Sequence, residues 1–351
     1  MAPLLVGTRK GLFTIAESGA VIRHDFAGVP VSAVLHDPPD GALYAGLDHG
    51  HFGVKLHRSD DAGVSWIELP APAFPAGLDG APAVSLIWVL EAGRPGEIWA
   101  GTIPGGLFRS DDRGQSWQLV DSLWQQEARA EWMGGGFDQP GIHSISVDPR
   151  DRARMTIGVS CGGVWLSEDG GTSWRLGGDG LVAGYMPDQR RDDRRIQDPH
   201  RLARCQAAPD RVWTQHHSGV FRSDDGGESW QRITGLPRSD FGFAVAAHPH
   251  DPDTAWFVPA ESDQNRIPVG GVVTVSRTRD GGRSFDSFSA GLPPPPAYDL
   301  VYRHAFDVAP DGAALAMGST TGGLWLSADA GESWRIAAAR LPPIACLRIV
   351  T

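Results

Sequence analysis

Three histidines open three related segments. HSISVDP, HRLARCQ and HAFDVAP begin with His143, His200 and His304. Neutral imidazole is the commonest nitrogen ligand of Zn²⁺ and related transition ions, and its charge changes near neutral pH. Three such rings at one level could hold a divalent metal such as Zn²⁺, with His216 or His217 as a further ligand or as the partner that orients one. A histidine at a strand start also caps backbone groups, and no compact HxxxH spacing is present, so a metal-free polar pocket is the other reading. Carboxylates accompany the histidines. Glu131, followed by Trp132, lies in EWMGGGF, where three glycines let the chain fold over a neighbouring site; Glu261 and Asp263 lie in PAESDQNRIPVGG. Either kind of carboxylate could act as a general base if desolvation raised its pKa. Arg9, Lys10, Arg266 and Arg303 could grip a carboxylate or phosphate, or remain solvated surface cations. His49 and Tyr302 complete the set of candidate binding residues. Cys161 in SCGG could pair with His143 as thiolate and imidazole, or be an idle buried thiol.

What must position these residues is a repeated unit. SDDAGVSW (59–66), SDDRGQSW (110–117), SEDGGTSW (167–174), SDDGGESW (223–230) and SADAGESW (327–334) are one phrase, with a weaker copy TRDGGRSF at 278–285. Their third residues, from Asp61 to Asp329, are separated by 51, 57, 56, 55 and 49 residues. A period near fifty signals stacked supersecondary units. Each unit reads as four short strands; the third is IHSISVDP, RMTIGVS, GGVWLSEDGG and TSWRL. Ser and Asp in the phrase can hydrogen-bond turn backbone, its glycines allow positive φ, and its closing Trp can bury a large ring. Six copies argue for a structural device, because an active site is normally needed once. LLVGT, GLFTIAES and AVIRHDF read as the last three strands of a further unit, and IACLRIVT as its first. The expected architecture is therefore all-β: one seven-bladed β-propeller over residues 1–351, its last blade closed by N- and C-terminal strands. The blades fall near 31–70, 83–120, 142–176, 200–233, 242–288 and 303–336, with 344–351 joining 4–26.

The phrase resembles the Asp-box, or bacterial neuraminidase repeat, found in sialidases, some xyloglucanases, sorting-receptor ectodomains and photosystem assembly factors. The whole chain, opening VGTRKGLF, is similar to bacterial proteins labelled sialidase-like or glycosyl hydrolase. In resembling propellers the boxes lie on the face opposite the functional one. That register sends His49, His51, His143, His200, His216, His217 and His304, seven of the twelve histidines, to the functional face, with the first strand of each blade lining the channel. A sialidase-type site would also use three arginines on the sugar carboxylate, a Tyr–Glu nucleophile pair and an Asp acid/base. Arg9, Arg266 and Arg303 converging on one pocket would support it. NRIP (265–268) resembles the sialidase Arg-Ile-Pro motif but precedes the fifth phrase rather than the first, and reads as coincidence.

A net charge of −11 argues against general nucleic-acid or anionic-membrane binding, and three cysteines imply no disulfide framework. The N-terminus lacks the pattern of a signal peptide, and no apolar run is long enough to span a bilayer, so a cytoplasmic protein is expected. The favoured expectation is an intracellular hydrolase or lyase. It would take a small polar or sugar-like, anionic substrate at the channel mouth and use His and carboxylate acid–base or metal-assisted chemistry. A sialidase-type glycosidase and a non-catalytic binding platform are the alternatives; the sequence does not fix the oligomeric state.

Overall fold

The computed structural model describes residues 3–78 and 83–350, so Thr351, at the end of the expected closing strand, lies outside the described residues. Seven four-stranded antiparallel sheets form a propeller. Leu4–Thr8, Gly11–Ile15 and Val21–Asp25 make three strands of one sheet, and Ile344–Ile349 supplies the fourth, so the chain's two ends close the ring. Among the described residues the helical content is one α-turn, Asp121–Trp124, and short 3₁₀ segments. None of these helices is long and apolar enough to cross a membrane.

The repeated phrase is the turn between third and fourth strands. In the first copy the Ser59 hydroxyl donates to Asp61 Oδ1 at 2.7 Å and accepts from the Gly63 N–H at 2.7 Å. Asp61 in turn accepts from the Ser65 N–H at 2.8 Å and from its hydroxyl at 2.6 Å. Asp112, Asp169, Asp225, Asp280 and Asp329 repeat the pattern. The turn places two successive residues at positive φ, Gly226 at 78° and Gly227 at 112° in the fourth copy, which explains the glycine preference. Trp174, Trp230 and Trp334 bury their rings and donate indole N–H to the turn's glycine carbonyl at 3.0–3.2 Å. Between the blades, Trp99, Trp165, Trp213 and Trp256 are almost wholly buried.

The innermost strands are Val31–Asp37, Leu86–Ala92, Ile142–Val147, Pro199–Arg204, Gly242–Ala247, Phe306–Val308 and Ile344–Ile349. Their starts converge at one channel mouth, and their ends lie on the box side. Inside the ring the wall is polar. Arg201 donates to the carbonyl oxygens of Arg303 and Phe306, and Arg348 faces Asp307 at 3.4 Å.

Candidate functional site

A cavity of about 640 Å³ opens at the mouth where the innermost strands begin. Arg9, Arg266 and Arg303, from three different blades, line it together with Trp88, Phe243 and Tyr302. Arg303 is the deepest of the arginines at 8% exposure. Its guanidinium sits 5.0 Å from the Trp88 ring centre and 5.4 Å from that of Phe243. Among the described residues it makes no ion pair, and its Nε has no hydrogen-bond partner. Burial pulls its pKa down to about 10, still well above neutrality, so it remains a cation. Arg266 stacks over Phe243 at 5.7 Å and reaches the Tyr302 hydroxyl at 3.5 Å. Lys10 points to solvent outside this cavity, and His49 belongs to an exposed 3₁₀ loop, so neither joins the arginines.

Asp198, a residue the sequence patterns did not single out, anchors the neighbouring histidines. It lies in the long connection leading into Pro199–Arg204 and is 1% exposed. Its Oδ1 accepts from the Cys161 N–H at 3.1 Å and from the Ser160 hydroxyl at 3.2 Å. Its Oδ2 faces His200 Nε2 and His217 Nδ1, each at 3.4 Å. Burial alone would favour the neutral acid. The contacts of His200 and His217 and the charge of Arg303 outweigh it, holding the Asp198 carboxyl well below the usual range. Burial drives His200 the other way and keeps it neutral. His217 is the accessible member, with 20% of its side chain exposed and Nε2 turned to Asp263 at 3.9 Å. Phe241 and Tyr185 pack edge-on against its ring, and Phe243 stacks on His200 at 4.7 Å, which joins this cluster to the arginine cavity.

The loop after Glu131 folds over the mouth. Gly135 lines the cavity and lies so close to the cluster that a Cβ there would sit 2.5 Å from Ser160 Oγ and 2.8 Å from Cys161 Sγ. Glu131 itself is bound to Arg190 at 2.9 Å and lies 3.9 Å from Arg195. It is therefore part of a surface ion network, not a poised base. Trp132 is buried against Trp165 and serves the core, not a ligand. Glu261 accepts from the Gly270 N–H at 3.2 Å and stays in its own loop.

The expected ring of His143, His200 and His304 does not form one ligand set. His304 Nε2 donates to the His143 carbonyl at 2.7 Å, bracing one innermost strand against another across the mouth. His143 Nδ1 meets the Ser144 hydroxyl at 2.9 Å. Burial pushes His304 down to about 3 and His143 well below its usual value, so both are neutral. His216 is neutral too, pushed down to about 3 by burial, and each ring nitrogen faces a backbone N–H, from Asp198 and Ser218, at 3.0 Å. A neutral imidazole has a single ring lone pair, and a backbone N–H occupies it, so none is left for a metal. Burial is the main force raising the pKa of Cys161, the adjacent Asp198 charge adds to it, and the residue stays a thiol rather than a nucleophile. Asp198 is legible only in retrospect, as the acid two residues before the strand-opening His200. Trp88 and Phe243 could have been read as innermost-strand positions facing the channel.

Fold and repeats together define an Asp-box β-propeller. The family model for the BNR/Asp-box repeat matches residues 221–232. A probable oligoxyloglucan-reducing end-specific xyloglucanase of Neosartorya fischeri is 25% identical over 271 residues, 69% of this chain and 30% of that protein. The structure of a GH74 xyloglucanase from Xanthomonas campestris superposes with a TM-score of 0.67 at 19% identity, covering 95% of this chain and 52% of that one. YCF48 from Cyanidioschyzon merolae superposes at 0.56 with 12% identity, over 88% and 84% of the two chains. The chain thus spans less than two-thirds of either xyloglucanase, and the two superpositions speak to fold alone.

Proposed function

We propose that the protein is a glycoside hydrolase that takes a small acidic sugar at the channel mouth. One observation carries the reading: Arg303, a buried guanidinium without a carboxylate partner among the described residues, faces the same cavity as Arg9 and Arg266. An unpaired buried cation is costly, and a ligand carboxylate would relieve that cost through bidentate hydrogen bonds. Trp88, Phe243 and Tyr302 offer the apolar and edge surfaces against which a sugar ring packs. The sequence relationship to xyloglucanases supports the glycosidase class. Asp198, His200 and His217 supply the end of the site that activates water, with Asp263 beside His217 as the solvent-facing acid.

The convergence of the three arginines also favours a sialidase-type carboxylate grip, with Tyr302 in the same cavity. The Tyr–Glu pair is the weak point of that version, because Glu131 and Glu261 are both engaged elsewhere. A bare binding platform is disfavoured by a cavity of this size on which three arginines converge.

Calorimetric titration with glucuronate, N-acetylneuraminate and glucose tests the reading. An acidic sugar should bind while glucose does not, and Arg303→Met should weaken it by roughly tenfold to a hundredfold, the equivalent of one or two charge-assisted hydrogen bonds. Equal binding of glucose, or unchanged acidic-sugar affinity in Arg303→Met, would refute it. A panel of aryl glycosides then identifies the bond cleaved.

A further inference from the structure

We infer that Asp198, His200 and His217 form a binding site for a divalent transition cation, with Zn²⁺ the best fit to a two-histidine, one-carboxylate set. Their ligand atoms all lie within 4.8 Å of one another. The Nδ1 of His200 lies 2.6 Å from the Gly242 carbonyl, a contact that only an N–H can make. With the proton committed to Nδ1, the ring turns Nε2 toward the Asp198 carboxylate, 3.4 Å away. His217 presents Nδ1 to the same oxygen at the same distance. Among the described residues that oxygen, Asp198 Oδ2, is buried and meets these two ring nitrogens at a distance long for a hydrogen bond. Two ring nitrogens and a carboxylate oxygen converging at that spacing frame a gap that a cation would fill.

The surroundings match what metal ligands require. Two ligands are held from behind, Asp198 through its other oxygen by Cys161 N–H and Ser160 and His200 by Gly242, while Asp263 lies 3.9 Å from the far nitrogen of His217. Outer partners of this kind fix ring orientation and tautomer. Three protein ligands leave a coordination position open on the partly exposed His217 side, as in sites where a metal binds water or substrate. The charge of Arg303 reaches Asp198 and opposes a second cation, so the site is weaker than a closed structural zinc centre. An anionic ligand lying between Arg303 and the cation would offset that repulsion. The inference stands on the cluster's own geometry and does not depend on the acidic-sugar reading.

Untagged full-length protein, stripped with chelator and dialysed, should take up about one Zn²⁺ per chain, read by mass spectrometry after gel filtration. Co²⁺ in its place should give visible absorption bands more intense than those of the aqueous ion. His217→Ala, at the exposed edge, should lower metal affinity by about tenfold or more with circular dichroism unchanged. Substoichiometric zinc together with an aqueous-type cobalt spectrum in the wild-type chain would show that only protons mediate the contacts and would overturn the site. Undiminished uptake by folded His217→Ala would overturn its location. The wild-type cobalt spectrum decides the matter even if the variant fails to fold. Acidic-sugar binding by metal-free protein that takes up no metal would overturn this inference alone. Metal uptake without sugar binding would overturn the functional reading alone.

Discussion

Glu91 and Gly135 show how single residues tune this mouth and channel. Glu91 lies on the innermost strand Leu86–Ala92, and burial pushes its pKa up to about 7, against the opposing charges of Arg348, Arg152 and Arg201. The folded protein therefore holds a proton that the unfolded chain releases above the usual carboxylate range. The charged form is penalised above pH 7; the penalty fades as pH falls from 7 and is gone near 4.5. Glu91→Gln should raise stability at pH 8 by about 1–2 kcal/mol, because channel solvent screens part of the shift, and change little at pH 5. Urea unfolding at the two pH values checks this; an equal effect at both would locate the cause in packing. At Gly135 the matter is space: a Cβ would collide with Ser160 and Cys161, the groups that hold Asp198. Gly135→Ala should displace the loop and cost roughly tenfold in acidic-sugar affinity with a small change in melting temperature, measured by titration and calorimetry. At this scale the sequence was half legible. Arg9, Arg266 and Arg303 could be sent to one face because each sits at a fixed register position in its blade. Asp198 could not, because the connection 177–199 has no strand period and its partner Cys161 belongs to the preceding blade.

The recurring element is the box turn, and its chemistry explains why it is readable. Each copy solves the same local problem, a tight reversal with unpaired backbone N–H groups, so the same Ser, Asp and Gly return. The pattern also shows its limits. Ala62, Arg113 and Ala330 occupy positive-φ positions that other copies give to glycine, so the phrase tolerates some strain where its hydrogen bonds are kept. The turn after Gly11–Ile15 has no box, and only its flanking strands reveal the blade. The Ser65 hydroxyl and N–H, with the Ser59 hydroxyl, lower the Asp61 pKa to about 2. Its ionised form therefore stabilises the fold above the ordinary carboxylate value near 4 and loses that contribution as pH falls toward 2. Asp61→Asn should lower the thermal midpoint by a few degrees at pH 7, and the gap from wild type should close near pH 2. A gap that persists at pH 2 would mean that shape, not charge, is what the turn uses.

Across the whole ring, stability rests on closure, since every blade packs on two neighbours only if the circle is complete. The closing strand Ile344–Ile349 pairs with Leu4–Thr8, and Ile344, Leu347 and Ile349 are buried in the cluster that joins the last blades. Fit is tight at the seam: a Cβ on Gly7 would lie 2.5 Å from Cys346 Sγ. The same closure carries the site, because His304 forms its bridge with Cys346 and then reaches the His143 carbonyl across the mouth. Burying three such apolar side chains contributes roughly 5–9 kcal/mol, comparable to the entire stability of an ordinary domain. A chain ending at Pro343 should therefore lose its cooperative unfolding transition or melt far below the full-length protein, and its bare Leu4–Thr8 edge should promote association. A synthetic peptide spanning 343–350, added in trans, should restore part of the melting temperature and the capacity to bind an acidic sugar. Scanning calorimetry with and without the peptide distinguishes the cases. An unaltered midpoint in the truncated chain would mean that the six remaining complete blades hold the ring without its clasp.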